Sequence, residues 1–88
     1  MYRLRFLSRA VKDLQRIDPP FQKIIKEKLT ILAENPEVLK NNIIALKGEE
    51  KLFRLRVGSY RVIFSKEENE LIILIIRIGH RKEIYLSE

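Results

Sequence analysis

"LFRLRVGSYRVIF", residues 52–64, carries two alternating runs on either side of Gly58 and Ser59. Successive side chains in a strand point to opposite faces, so Phe53, Leu55 and Val57 share one face while Leu52, Arg54 and Arg56 share the other. In the second run Tyr60, Val62 and Phe64 oppose Arg61 and Ile63. A two-residue link that begins with glycine suits a type II′ turn, so the stretch reads as a β-hairpin with one apolar face and one arginine-bearing face.

On the C-terminal side, "KEENE" (66–70) makes a second polar turn and "LIILIIRI" (71–78) a further strand. Strict alternation there sets Arg77 with Leu71, Ile73 and Ile75, opposite Ile72, Leu74, Ile76 and Ile78. On the N-terminal side, "YRLRFL" (2–7) alternates as a half-buried strand. Ser8 is placed to cap a short amphipathic helix whose apolar positions are Ala10, Val11, Leu14 and Ile17. Asp18, Pro19 and Pro20 end that helix and open a second, with Asp18 as cap. The second helix runs to about Glu34 along a stripe of Phe21, Ile24, Ile25, Leu29 and Leu32, and Asn35–Pro36 stops it.

From Glu37 to Glu50 the period is lost, and the segment reads as a connection laying Ile43, Ile44 and Leu46 over the core edge. The order is β-α-α-β-β-β. It predicts a two-layer α+β domain with a small antiparallel-rich sheet and two N-terminal helices packed on one face.

Composition narrows the function. A chain of 88 residues closes one modest core, so residues 1–88 are expected to form a single domain. With 45% hydrophobic and 34% charged residues, the balance is globular rather than disordered. There is no cysteine and only one histidine, so neither disulfides nor a zinc site is expected, and no Gly-rich phosphate loop or cofactor motif stands out. The apolar run Leu71–Ile76 is far short of the roughly 20 residues that span a bilayer, and the N-terminus lacks the apolar core of a signal peptide. The expectation is a cytoplasmic protein without membrane contact. A net charge of +6 favours polyanionic partners.

The charge is unevenly placed. Five cations and no carboxylate lie between Lys51 and Lys66. Like charges opposed across a sheet are destabilising, which points to negative charge supplied from outside the domain. Alternatively, the arginines keep an open sheet soluble and block edge pairing. Guanidinium forks grip two phosphate oxygens at once, so Lys51, Arg54, Arg56, Arg77 and Lys82 are candidate RNA contacts. Arginine is a poor proton carrier, whereas RNA cleavage by a 2′-hydroxyl needs one proton removed and one delivered. His80 and Tyr85 are the candidates for that work. Equally, His80 reads as a loop residue and Tyr85 as a packing residue, and Tyr85 could stack on an unpaired base.

"LKG", "LFRLRVGSYRVIF" and "IIRIGHRKEIY" together resemble the signature of the RelE/ParE toxin superfamily of toxin–antitoxin systems, along nearly the whole chain. For RelE-type members the resemblance implies an endoribonuclease that enters the ribosomal A site and cuts messenger RNA, leaving a 2′,3′-cyclic phosphate. Carried over, Arg61 stabilises the scissile phosphate, Arg81 makes a second phosphate contact, and Tyr85 stacks on or activates the nucleotide. Two positions that are lysine in such members are Arg54 and Arg56 here, which keeps charge but weakens proton donation, so His80 is the substitute acid or base. ParE-type members share this framework and poison DNA gyrase; a noncatalytic RNA-binding module is the third possibility. The resemblance also implies an acidic, partly disordered RelB-like antitoxin that covers the basic face in a heterodimer or heterotetramer.

Overall fold

Val57 and Tyr60 face each other across the hairpin ladder with Gly58 and Ser59 between them, and Gly58 adopts φ +60°. A type II′ turn needs that left-handed first position, where a Cβ would be strained. From this hairpin the rest of the sheet is built. The computed structural model describes residues 1–48 and 51–84. Its elements are β1 (Arg3–Phe6), α1 (Ser8–Gln15), α2 (Pro19–Glu34), a 3₁₀ segment (Pro36–Asn42), β2 (Ile43–Ala45), β3 (Leu52–Val57), β4 (Tyr60–Glu67), β5 (Ile72–His80) and α3 (Arg81–Ile84). The five strands form one sheet in the order β1-β5-β4-β3-β2. β1 runs parallel to β5, and the other neighbours are antiparallel.

Helices α1 and α2 cover one face, giving the predicted two-layer α+β arrangement. Ala10, Leu14, Ile25, Leu29 and Leu32 pack there against Leu55, Val62, Phe64, Ile73 and Ile75. Each fully buried aliphatic side chain contributes about 1.5–3 kcal/mol of transfer free energy, so β5, which supplies Ile73, Ile75 and Ile78 to this core, anchors the domain. The opposite face holds a smaller cluster of Leu46, Ile63 and Ile84, with Leu52 and Ile76 against it. No helix among the described residues is long and apolar enough to cross a membrane.

Several local expectations are corrected. Ile43–Ala45, expected within a connection, pairs with β3 as an edge strand. Three residues are too few for their alternation to show in sequence. Ser8 is the first residue of α1 rather than its cap; Leu7 holds the cap position, and its carbonyl accepts the N–H groups of Ala10 and Val11. The stripe of α2 divides, with Ile25, Leu29 and Leu32 buried and Phe21 and Ile24 each 45% exposed. The last strand runs on to His80 and is followed by the turn of helix α3, where the alternation ended at Ile78.

The largest departure is a bulge. Phe64 pairs with Ile75 but Ile63 pairs with Arg77, which leaves Ile76 as an extra residue on β5. A bulge shifts side-chain parity by one. Ile78 therefore joins Ile73 and Ile75 in the helix-facing core, where strict alternation set it on the opposite face. Ile76 packs on the other side.

Candidate nucleic-acid interface

Helix-facing Leu55, Val57 and Val62 fix the direction of the residues between them. Arg54 and Arg56 of β3 and Arg61 of β4 consequently belong to the face away from α1 and α2. Arg56 and Arg61 are direct ladder partners, and Arg54 sits opposite Ile63 on the same face. The bulge then matters, because Gly79 becomes the partner of Arg61 and the chain continues from there into Arg81.

The hairpin turn holds this group at two points. Arg61 donates from Nη1 to the carbonyl oxygens of Gly58 and Tyr60, both at 2.9 Å. The N–H of Arg81 donates to the carbonyl of Ser59 at 2.8 Å. Burial, followed by the charges of Arg54, Arg56 and Arg81, lowers the Arg61 guanidinium below its ordinary value. Arg81, distant in sequence, thus joins Arg54 and Arg56 in acting on Arg61. Since both protein bonds of Arg61 use Nη1, its Nε and Nη2 edge is available to two oxygens of a phosphate.

Helix α3 folds back over the strand end. Ile84 is fully buried, and a Cβ at Gly79 would lie 3.0 Å from its Cγ1. Glycine is favoured here by that close approach, not by its own backbone angle. Tyr85, the aromatic candidate next to Ile84, lies outside the described residues.

The other candidates are distributed elsewhere. His80 pairs with Tyr60 on the helix-facing row, and the two rings meet edge-on at 5.9 Å. Its Nδ1 accepts the Lys82 backbone N–H at 3.2 Å, and the His80 backbone N–H donates to Glu83 Oε1 at 3.4 Å. A neutral ring bonded this way carries its proton on Nε2. His80 opens onto a hollow of about 430 Å³ lined in part by Asp13, Arg16, Tyr60 and Glu83. It is not gathered with the arginines, because the bulge sends Gly79 to the arginine face and His80 to the opposite one. Lys51 lies at the far end of β3, paired with Glu67 at 3.3 Å. Lys82 is exposed on α3. Arg77 is committed to the Asp13 carboxylate, with Nε 2.9 Å from Oδ2. Of the local cations read as one face, then, the ladder keeps Arg54, Arg56 and Arg61 together; it also sets Arg77 opposite Ile63 on that face, although its guanidinium turns to Asp13, and Arg81 follows at the start of α3.

Asp13 was not singled out by the sequence. A lone acidic residue on an amphipathic helix looks like a solvent contact, and only the bulge gives it a target.

Fold and cluster define a small two-layer α+β domain with an arginine-rich sheet face. The family model described as "ParE toxin of type II toxin-antitoxin system, parDE" matches residues 4–85. Toxin RelE3 of Methanocaldococcus jannaschii is 34% identical over 82 residues, 91% of this chain and 91% of that protein. The mRNA interferase toxin RelE of Escherichia coli K12 is 26% identical over 86 residues, 96% of this chain and 90% of its own. Among solved structures, the archaeal RelE–RelB complex from Pyrococcus horikoshii OT3 superposes with a TM-score of 0.78 at 30% identity, covering 91% of this chain and 94% of the matched one. The chain belongs to the ParE toxin family of type II toxin–antitoxin systems, within the RelE/ParE superfamily.

Proposed function

We propose that this toxin is a ribosome-dependent endoribonuclease that cleaves messenger RNA in the A site to a 2′,3′-cyclic phosphate. The observation that carries the reading is the convergence of Arg54, Arg56, Arg61 and Arg81 on one sheet face, with Arg61 and Arg81 tied to the same turn. Fixed guanidinium groups stabilise charge that develops on a phosphorane-like transition state without having to reorganise. Arg61 grips the scissile phosphate through its Nε and Nη2 edge. Arg81 holds a second oxygen, Arg54 and Arg56 position the flanking backbone, and Tyr85 stacks on the nucleotide or activates it. The name of the Escherichia coli relative supports the reaction class.

Excess positive charge at the site also calls for an inhibitor of opposite sign. An acidic RelB-like antitoxin would cover the arginine face in the cytoplasm, in a heterodimer or heterotetramer; the pairing of the Pyrococcus horikoshii neighbour with RelB supports it. Purified ribosomes programmed with a defined messenger, with 3′ ends mapped, test the proposal. Cleavage within the A-site codon is expected, and Arg81→Ala and Tyr85→Ala should each suppress it. Intact message would overturn the reading. The match to the ParE family model favours gyrase as the second target, read as a loss of DNA supercoiling.

A further inference from the structure

The strand ladder beside β5 ends early. β1 pairs with β5 only from Ile72 to Ile75, so beyond Ile75 the outer edge of β5 has no neighbouring strand among the described residues. The chain turns away at that point into α1, whose first contact is the Leu7 N–H donating to the Ile75 carbonyl. An unpaired strand edge leaves ladder N–H groups needing acceptors. Asp13, one and a half turns into α1, supplies one. Its Oδ2 accepts the Ile78 N–H at 3.0 Å and the Arg77 Nε–H at 2.9 Å. The carboxylate is only 11% exposed, and Arg77 is 27% exposed.

These two bonds fall just past the bulge. The extra residue, Ile76, is what gives Gly79 the parity of Arg61 and aims the chain so that Arg81 joins the cluster. Without it, strict alternation would send Gly79 and Arg81 to the helix side, with Ile73 and Ile75. Loss of the bulge by a one-residue slip would turn every following side chain of β5 to the other face, and the strand's open outer edge has no ladder there to resist it. Asp13 opposes that slip on the bulge's C-terminal side, through a charge-assisted bond to the backbone and an ion pair to the neighbouring side chain.

We propose that Asp13 is a positioning residue for the arginine site: by binding Ile78 N–H and Arg77 it pins the β5 bulge that delivers Arg81 to the face of Arg61. As a statement about activity the inference rests on the endoribonuclease reading, but it also makes a claim about register that needs no substrate. Asp13 touches no nucleic acid in this scheme. Its effect travels through the strand.

The test pairs two measurements on the full chain. Cleavage on programmed ribosomes is followed at saturating toxin, and amide hydrogen exchange is followed residue by residue in the free protein. Asp13→Ala should lower the saturated cleavage rate by about 10- to 100-fold while the half-saturating concentration changes by less than about threefold, since a shifted Arg81 misplaces the reacting phosphate more than it weakens docking. Asp13→Asn keeps an acceptor for the Ile78 N–H and should fall between Asp13→Ala and the parent. Exchange at Ile78 should rise at least about tenfold in Asp13→Ala and spread through Gly79 to Arg81, with the β3–β4 hairpin unchanged. Parent-like cleavage by Asp13→Ala would overturn the proposal, as would a uniform loss of protection across the sheet. Should Asp13→Ala fail to fold, Asp13→Asn decides on the same two readouts. If the parent itself leaves the message intact, the endoribonuclease reading fails, and the exchange pattern alone decides the role of Asp13.

Discussion

Arg61 is the residue at which function and stability oppose each other most directly. Folding buries it in part and places it beside three like charges, so the folded state disfavours its charged form. For a base lowered in this way, the penalty is present at every pH below its folded-state value and is relieved only as pH rises through that value, far above neutral. Arg61→Gln removes that penalty together with the two Nη1 bonds to the Gly58 and Tyr60 carbonyls, so the effects offset and the free domain should keep its stability within about 0.5 kcal/mol. The gap should stay constant from about pH 5 to 9, checked by calorimetry across that range, because arginine does not titrate there. The same substitution should lower cleavage by about 10²- to 10³-fold, the scale of losing one fixed donor to a transition state. His80 lies on the other face with its ring against Tyr60, so His80→Ala should cleave within about threefold of the parent. It should also keep both limbs of the pH–rate profile. Loss of a limb would return His80 to the reaction as its acid or base.

At the scale of elements, the close fit of α3 on β5 is the contact most open to a single test. Gly79→Ala puts a methyl 3.0 Å from the Ile84 side chain, against a fully buried residue. Overpacking of this kind costs about 1–3 kcal/mol, so Gly79→Ala should lower the urea midpoint with an unchanged slope. Elements that repeat were readable from the sequence: the hairpin announced itself through alternation and a glycine-first turn, and both helices through spacing and prolines. What was not readable had no period to carry it. β2 is three residues long, α3 is four, and the bulge is one residue whose insertion breaks the alternation used to find strands. Hence Arg54, Arg56 and Arg61 were assigned correctly to one face, whereas Arg77 and Ile78, past the bulge, were assigned by a parity that no longer held. The register sets Arg77 opposite Ile63, on the face away from the helices, and it is the Asp13 carboxylate that draws its guanidinium back to α1.

For the whole molecule, the arginine face predicts how binding responds to salt. Displacement of counterions from single-stranded RNA by four guanidinium groups gives a slope of log K against log salt near −3 by the relation of about −0.7 per contact. Filter binding of a short unstructured RNA to the isolated toxin should show that slope, and Arg61→Gln should reduce its steepness by about 0.7. A flat dependence would mean that the face does not meet the RNA backbone. The pairing of β1 with β5 has a consequence for the moment at which the protein becomes dangerous. The first strand waits beside an empty place until the last one, Ile72–His80, has been synthesised, and Arg81 is translated later still. A partly made chain on its parent ribosome carries the arginines of the hairpin but neither the strand that orders them nor the fourth member of the group. The arginine group is therefore completed only after the hairpin, once β5 and Arg81 have both been made.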